Sequence, residues 1–187
     1  MSDYNIAFEK AKEFHGHVCP GIILGTRLTL AGLRELGMNP HEHNRDLMVF
    51  MEIDRCGTDA VQAITGCTLG HRTLKFRDYG KFAATFVNIA TGKAVRVAVS
   101  EKNREEHDRL EPKEVLTTLA LAPDDEILKI EHVWVELSAT DIPGVPRQKS
   151  VCSACKERIM DGREVSTGGK TLCKNCAGQS YYQILPP

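Results

Sequence analysis

Four of the chain's seven cysteines stand in two tight pairs, Cys152-Ser-Ala-Cys155 and Cys173-Lys-Asn-Cys176, with 17 residues between them. Each pair forms a knuckle whose two sulfurs can share one ion, and a tetrahedral Zn²⁺ site takes two such knuckles. Ser166-Thr-Gly-Gly169 between them is a turn signal flanked by short strand-like pieces, as in zinc ribbons and treble-clef fingers. A module of about 30 residues buries too little apolar surface to fold alone, so the metal must supply the folding energy. Two reactive dithiols in a redox protein are the competing reading; the spacing and the intervening turn favour zinc. Four thiolates from Cys152, Cys155, Cys173 and Cys176 also close the coordination sphere, so this ion is expected to be structural. The module's Lys156, Arg158, Arg163, Lys170 and Lys174 outweigh Glu157, Asp161 and Glu164 by only +2. That is too little to point to nucleic acid, and the chain's net charge of −1 argues the same way.

Ahead of the module, Ser138–Ser150 contains Pro143, Gly144 and Pro146 without periodicity and reads as a linker. The expected division is therefore a core over 1–137, a linker over 138–150 and a finger over 151–187. No stretch approaches about 18 uninterrupted apolar residues, so no transmembrane helix is expected. The opening Met-Ser-Asp-Tyr-Asn lacks a basic and then apolar leader. A cytoplasmic location is expected, where cysteines serve as metal ligands or reactive thiols rather than as disulfides.

In the core, residues 4–14 read as an amphipathic helix. A second helix over roughly 20–36 has Pro20 at its first position, Cys19 at its N-cap and Gly37 at its end. It is apolar almost all round, which marks a buried helix, and Gly25 and Gly32 offer close approach to a neighbour. Leu47–Asp54 fits a buried strand, and Thr58 is a candidate cap for a helix over about 59–65 stopped by Gly66. Phe82–Ile89 and Ala94–Val99 make a hairpin, Pro112–Leu121 a helix and Ile127–Leu137 a last strand. The charged run Glu101–Leu110 reads as a solvated helix or loop. Helices and strands mix without regular βαβ alternation, so the fold class is α+β, with helices and an antiparallel sheet.

The remaining cysteines lie in three ligand-bearing segments. His15-Gly-His-Val-Cys-Pro-Gly21 is dense in metal-ligand types. A helix N-terminus favours the thiolate, which predicts a lowered pKa for Cys19 and, by the same logic with Arg55 beside it, for Cys56. Asp59 lies in the first turn of that next helix, as a helix-start charge or as a ligand or catalytic group. Gly66-Cys-Thr-Leu-Gly-His71 adds Cys67, Thr68 and His71, although Cys67 at a helix end reads first as a small core hydrophobe. His41 and His43 read as parts of a solvated loop, and His107 and His132 invite no role.

Phe14-His-Gly-His-Val-Cys-Pro-Gly-Ile-Ile-Leu-Gly25, Asp54-Arg-Cys-Gly-Thr-Asp-Ala-Val-Gln-Ala-Ile-Thr-Gly-Cys-Thr-Leu-Gly70 and Asp78-Tyr-Gly-Lys-Phe-Ala-Ala-Thr-Phe86 resemble the FmdE family, named for an accessory subunit of formylmethanofuran dehydrogenase. The resemblance spans roughly residues 5–137, and the cysteine module looks like the auxiliary treble-clef finger some members carry. It implies an α+β core, homodimers, and association with molybdenum or tungsten formylmethanofuran dehydrogenase, which reduces CO₂ to a formyl group on methanofuran. The family pattern makes His15, His17, Cys19, Cys56, Asp59, Cys67 and Thr68 candidates for a core site. Of these, His17, Cys19 and Cys56 are expected to ligate a second transition metal, zinc by preference, and Cys19, Cys56 and Asp59 are the catalytic candidates. Nothing resembles a molybdopterin-binding domain or a ferredoxin-type cysteine run, so the chain alone is not expected to carry out that reaction. The alternatives are a stand-alone metal- or thiol-dependent enzyme on a small molecule, and a finger module that engages protein or nucleic acid.

Overall fold

The computed structural model describes residues 2–103, 105 and 109–185. The portion of the charged run that includes His107 lies outside the described residues. Contacts divide the chain into two compact units, Met1–Glu136 and Leu137–Pro187.

The first unit is a five-stranded sheet packed by helices. Helix α1 (Asp3–His15) is capped by the Ser2 side chain at its start and stops at Gly16, whose left-handed φ of 89° favours glycine. Cys19, in extended conformation, caps α2 (Pro20–Glu35), and Pro20 takes the first helical position because its missing N–H has no partner to lose there. The chain then forms β1 (Leu47–Met51), α3 (Cys56–Thr65), β2 (Leu74–Phe76), β3 (Ala83–Asn88), β4 (Ala94–Val99), α4 (Pro112–Leu121), α5 (Asp124–Ile127) and β5 (Leu128–Val133). The sheet order is β2-β1-β3-β4-β5. All neighbours run antiparallel except β1 and β2, where Val49 faces Leu74 in a parallel pair.

Alternate strand residues Leu47, Val49, Met51, Ala84, Phe86, Val95 and Val97 share one buried cluster with Ile22, Leu28, Ala31 and Leu33 of α2, as period-two strands against a central helix require. The glycines of α2 carry that packing. A Cβ on Gly32 would lie 2.2 Å from the Phe86 ring, and one on Gly25 would lie 2.6 Å from the Gly57 Cα of α3. Arg27 of α2 gathers the end of α4, donating to the Leu119, Ala120 and Ala122 carbonyls and to Asp124. Beyond β1, the buried Glu52 receives two bonds from Arg96, at 2.7 and 2.8 Å. The Glu52 carbonyl accepts from the Tyr79 and Lys81 amides, which fixes the segment leading into α3.

Two expectations are corrected. α3 begins at Cys56 with Arg55 as its cap, and Thr58 lies inside its first turn with its hydroxyl donating to the Ile53 carbonyl. The last strand is shorter than Ile127–Leu137 at both ends: Asp124–Ile127 closes a helical turn before β5 begins, and β5 stops at Val133.

The second unit holds two short hairpins, β6 (Lys149–Val151) with β7 (Arg158–Met160) and β8 (Val165–Thr167) with β9 (Lys170–Leu172). Its buried apolar side chains, among the described residues, are Cys152 and Ile159. No helix among the described residues is long and apolar enough to cross a membrane.

Candidate metal centres

The core site is assembled by one tight turn and one helix start. Gly16 ends α1 directly after His15, and Cys19 opens α2 four residues later, so the two histidines and the cysteine are folded onto one corner. One donor atom each from His15, His17 and Cys19 lies within 4.8 Å of the others. The His15 and His17 rings lie 4.4 Å apart between centroids, tilted by 37°. His15 Nε2 is 3.7 Å from Cys19 Sγ, while its Nδ1 is 2.7 Å from Asp59 Oδ2 in the first turn of α3. With an ionised Asp59, the network assigns the proton to Nδ1 and leaves the Nε2 lone pair turned toward the other donors. A carboxylate behind a histidine is the usual second partner of a metal-ligating imidazole, fixing both tautomer and ring orientation.

Cys56 occupies the first turn of α3, its side chain against Gly21. The expected fall in its thiol pKa does not occur. Burial first, and then the influence of Cys19, push the Cys56 thiol up and outweigh a backbone N–H that acts the other way. Cys56 stands outside the three-donor group, and His15 takes the place in that group expected for Cys56.

Two histidines and a thiol are borderline-soft donors that suit zinc and its neighbours, and three protein ligands leave a coordination position open. His17 is exposed, so this corner of the fold is open to solvent.

The third cysteine segment goes elsewhere. Cys67 is 3% exposed within the hydrophobic cluster, and its Sγ donates to the Leu47 carbonyl. Burial pushes this thiol up, as for a small core hydrophobe. The Thr68 hydroxyl accepts from the His71 amide and so shapes its own turn. With His43, Arg45 and His71, Cys67 lines a separate cavity of about 190 Å³.

In the second unit, Cys152, Cys155, Cys173 and Cys176 converge within 4.8 Å. The Cys173 amide donates to Cys152 Sγ at 3.3 Å and the Cys176 amide to Cys173 Sγ at 3.4 Å. Lys156 takes a left-handed φ of 66° where its amide turns back to the Cys152 carbonyl, closing the first knuckle. Backbone N–H groups of Cys173 and Cys155 bring the Cys152 thiol down to about 6. Shared hydrogen bonds with Cys173 and Cys152 push Cys176 up to about 12. Four sulfurs compete for protons in a space that one dication satisfies.

An α+β core bearing a His/Cys turn, followed by a four-cysteine finger, defines a class of protein with one open and one closed candidate metal centre. Residues 14–138 match the family model described as "FmdE, Molybdenum formylmethanofuran dehydrogenase operon", and the chain belongs to that family. Residues 146–182 match the prokaryotic dksA/traR C4-type zinc finger. Among solved structures, the chain is similar to a "tungsten formylmethanofuran dehydrogenase subunit e (fmde)-like protein" from Syntrophus aciditrophicus. That match has a TM-score of 0.67 and 25% identity, and covers 96% of this chain and 95% of the other. A curated relative from Archaeoglobus fulgidus, "Probable S-adenosyl-L-methionine-binding protein", is 30% identical over 94% of this chain. The chain spans about half the length of that relative, 53%.

Proposed function

We propose that the chain is a metal-binding homologue of the accessory FmdE component of molybdenum or tungsten formylmethanofuran dehydrogenase. In this reading His15, His17 and Cys19 hold a transition metal of the zinc class, with Cys56 in reserve as a further donor. Cys152, Cys155, Cys173 and Cys176 hold a structural zinc that stabilises the finger over 151–187. The working form is a cytoplasmic homodimer that associates with the dehydrogenase and does not perform the CO₂ chemistry alone. One observation carries the reading: the convergence of three donors beside a carboxylate that orients one of them. Such a site binds an ion and leaves room for a water or a small ligand upon it.

Metal analysis of the purified chain tests this directly. More than one zinc-class ion per chain is expected, with Cys19→Ser and His17→Ala each losing the core ion and keeping the finger's. A single ion per chain, untouched by those substitutions, would sink the core centre. Copurification with a molybdenum or tungsten protein supports the accessory role.

A second reading follows from the name of the Archaeoglobus relative: the core is a small-molecule site that takes S-adenosyl-L-methionine. Calorimetric titration with that compound separates the two, since heat of binding that persists in Cys19→Ser favours a ligand site independent of the metal.

A further inference from the structure

Two loops beside the end of α3 bring together basic side chains that the core centre does not use. α3 stops at Gly66, whose left-handed φ of 71° turns the chain toward Cys67, and a Cβ there would lie 3.6 Å from His43 Nδ1. His43 belongs to a loop locked by its own side chains. Asn39 Oδ1 accepts from the His41 amide, and Asn44 Nδ2 donates to the Asn39 and Glu42 carbonyls. His71 belongs to a second locked turn, in which the Thr68 hydroxyl accepts from the His71 amide and the Thr73 hydroxyl from the Thr68 amide. Between the loops lies the cavity of about 190 Å³, with Leu47 and Cys67 as its buried lining and His43, Arg45 and His71 exposed around it. No carboxylate lines this cavity, and among the described residues neither imidazole nor the Arg45 guanidinium makes a hydrogen bond or ion pair. A second cavity of about 180 Å³ adjoins it through His43, Thr65 and Gly66, with Pro40, Ile64 and Glu42 among its walls.

We propose that the adjoining cavities bind a small phosphate monoester, its phosphoryl group among His43, Arg45 and His71 and its organic part toward Pro40 and Ile64. A phosphate monoester brings about −1.5 to −2 charge at neutral pH and three strong acceptor oxygens. The first cavity supplies the matching donors: a guanidinium whose planar fork takes two oxygens at once, and two imidazoles that each carry at least one N–H. A carboxylate spreads a single charge over two oxygens and matches these three groups less well. The cavity is not a metal site, since His43, Cys67 and His71 do not form one of the convergent donor groups among the described residues. At about 30 Å³ per water in the liquid, the first cavity has room for roughly six waters, enough for a phosphoryl group and little more, so the organic part falls to the second. There the Glu42 carboxylate and the carbonyls of α3's last turn accept hydrogen bonds, which favours an organic part that carries hydroxyl or amine donors. Both loops are already fixed in place, so binding orders little further chain. The site is separate from the core centre, which sits at the other end of α3, a ten-residue helix about 15 Å long.

Calorimetric titration of the full chain with glycerol phosphate, inorganic phosphate, malonate and glycerol tests the assignment. Glycerol phosphate is expected to bind most tightly and inorganic phosphate more weakly, with malonate at least about tenfold weaker than glycerol phosphate and glycerol giving no heat. Arg45→Gln is expected to weaken glycerol phosphate at least about tenfold and His71→Asn several-fold, as the loss of charge-assisted donors at exposed positions that the fold does not need. In the wild-type chain, the imidazole nitrogen resonances of His43 and His71 are expected to shift together during the titration. Those of His132, on the edge strand β5, are expected to stay still. Cys19→Ser is expected to bind glycerol phosphate as the wild-type chain does, whether or not the core centre holds an ion. Absence of heat with both phosphate compounds overturns the inference, as does binding that Arg45→Gln and His71→Asn leave unchanged. Malonate binding as tightly as glycerol phosphate overturns the phosphate assignment. Binding that is lost in Cys19→Ser overturns it too, and moves the anion to the core centre.

Discussion

His15 and Asp59 lie 44 residues apart in the chain and 2.7 Å apart in the fold. The separation explains what motif spacing could and could not reveal at this site. Donor types crowded into His15–Cys19 were legible as a ligand-bearing turn, and Pro20 placed Cys19 correctly at a helix start. Which histidine had a carboxylate behind it depends on how α3 packs on α1, and no local pattern encodes that. Cys56 shows the converse. Its place at a helix start was legible, yet burial and the neighbouring Cys19 override the helix terminus and push its thiol up. The orienting carboxylate gives a prediction at this scale. Asp59→Asn keeps the shape and removes the charge that holds the His15 ring, so core-metal affinity is expected to fall about 10- to 100-fold with the finger's zinc unaffected. Competition against a chromophoric chelator measures it, and an unchanged affinity would show that Asp59 does not orient His15.

The central helix α2 explains most of the core, and most of it was readable. Its nearly continuous apolar surface predicted burial, and Gly25 and Gly32 predicted close approach, now seen against Gly57 and the Phe86 ring. Gly32→Ala places a methyl group inside that ring's volume and is expected to cost about 2 kcal/mol, read from the urea midpoint. The elements that escaped notice are short. β2 has three residues and α5 four, too few to display a period, and both exist because longer neighbours supply their partners. α5 nevertheless anchors α2. Burial pushes the Asp124 carboxyl up, but hydrogen bonds and charge from Arg27 and Arg34 prevail and hold it below the ordinary carboxylate range. A depressed pKa contributes stability that is complete above the unfolded value, about 3.9, and is lost as pH falls through the folded one. Asp124→Asn is therefore expected to be less stable than the wild-type chain at neutral pH, with the gap narrowing on acidification below about pH 4. Urea melts across that range check the sign; a gap that widens in acid would contradict it.

The molecule as a whole divides between two means of staying folded. The first unit buries one large apolar cluster around α2 and the sheet. The second, Leu137–Pro187, buries only Cys152 and Ile159 among its described apolar side chains, with three-residue strands and one buried carboxylate, Asp161. Apolar burial of that extent cannot offset the conformational entropy of ordering some fifty residues, each costing on the order of 1 kcal/mol or more. The missing stability has one candidate source among the described residues, the four converging sulfurs. This difference also explains why the finger was so legible from sequence: its fold is organised by ligands that lie close together in the chain, whereas the core is organised by long-range packing. Stripping the tightly held zinc with a strong chelator should then melt the second unit and leave the first intact. Hydrogen exchange reads this directly. The Cys152 amide, which bonds the Glu157 carbonyl, and the Cys173 amide, which bonds Cys152 Sγ, are expected to lose protection. Amides of β1, β3 and β4 are expected to keep theirs, and added zinc to restore the finger. Persistent protection at Cys152 and Cys173 after complete zinc removal would mean that the second unit is held by something other than its metal.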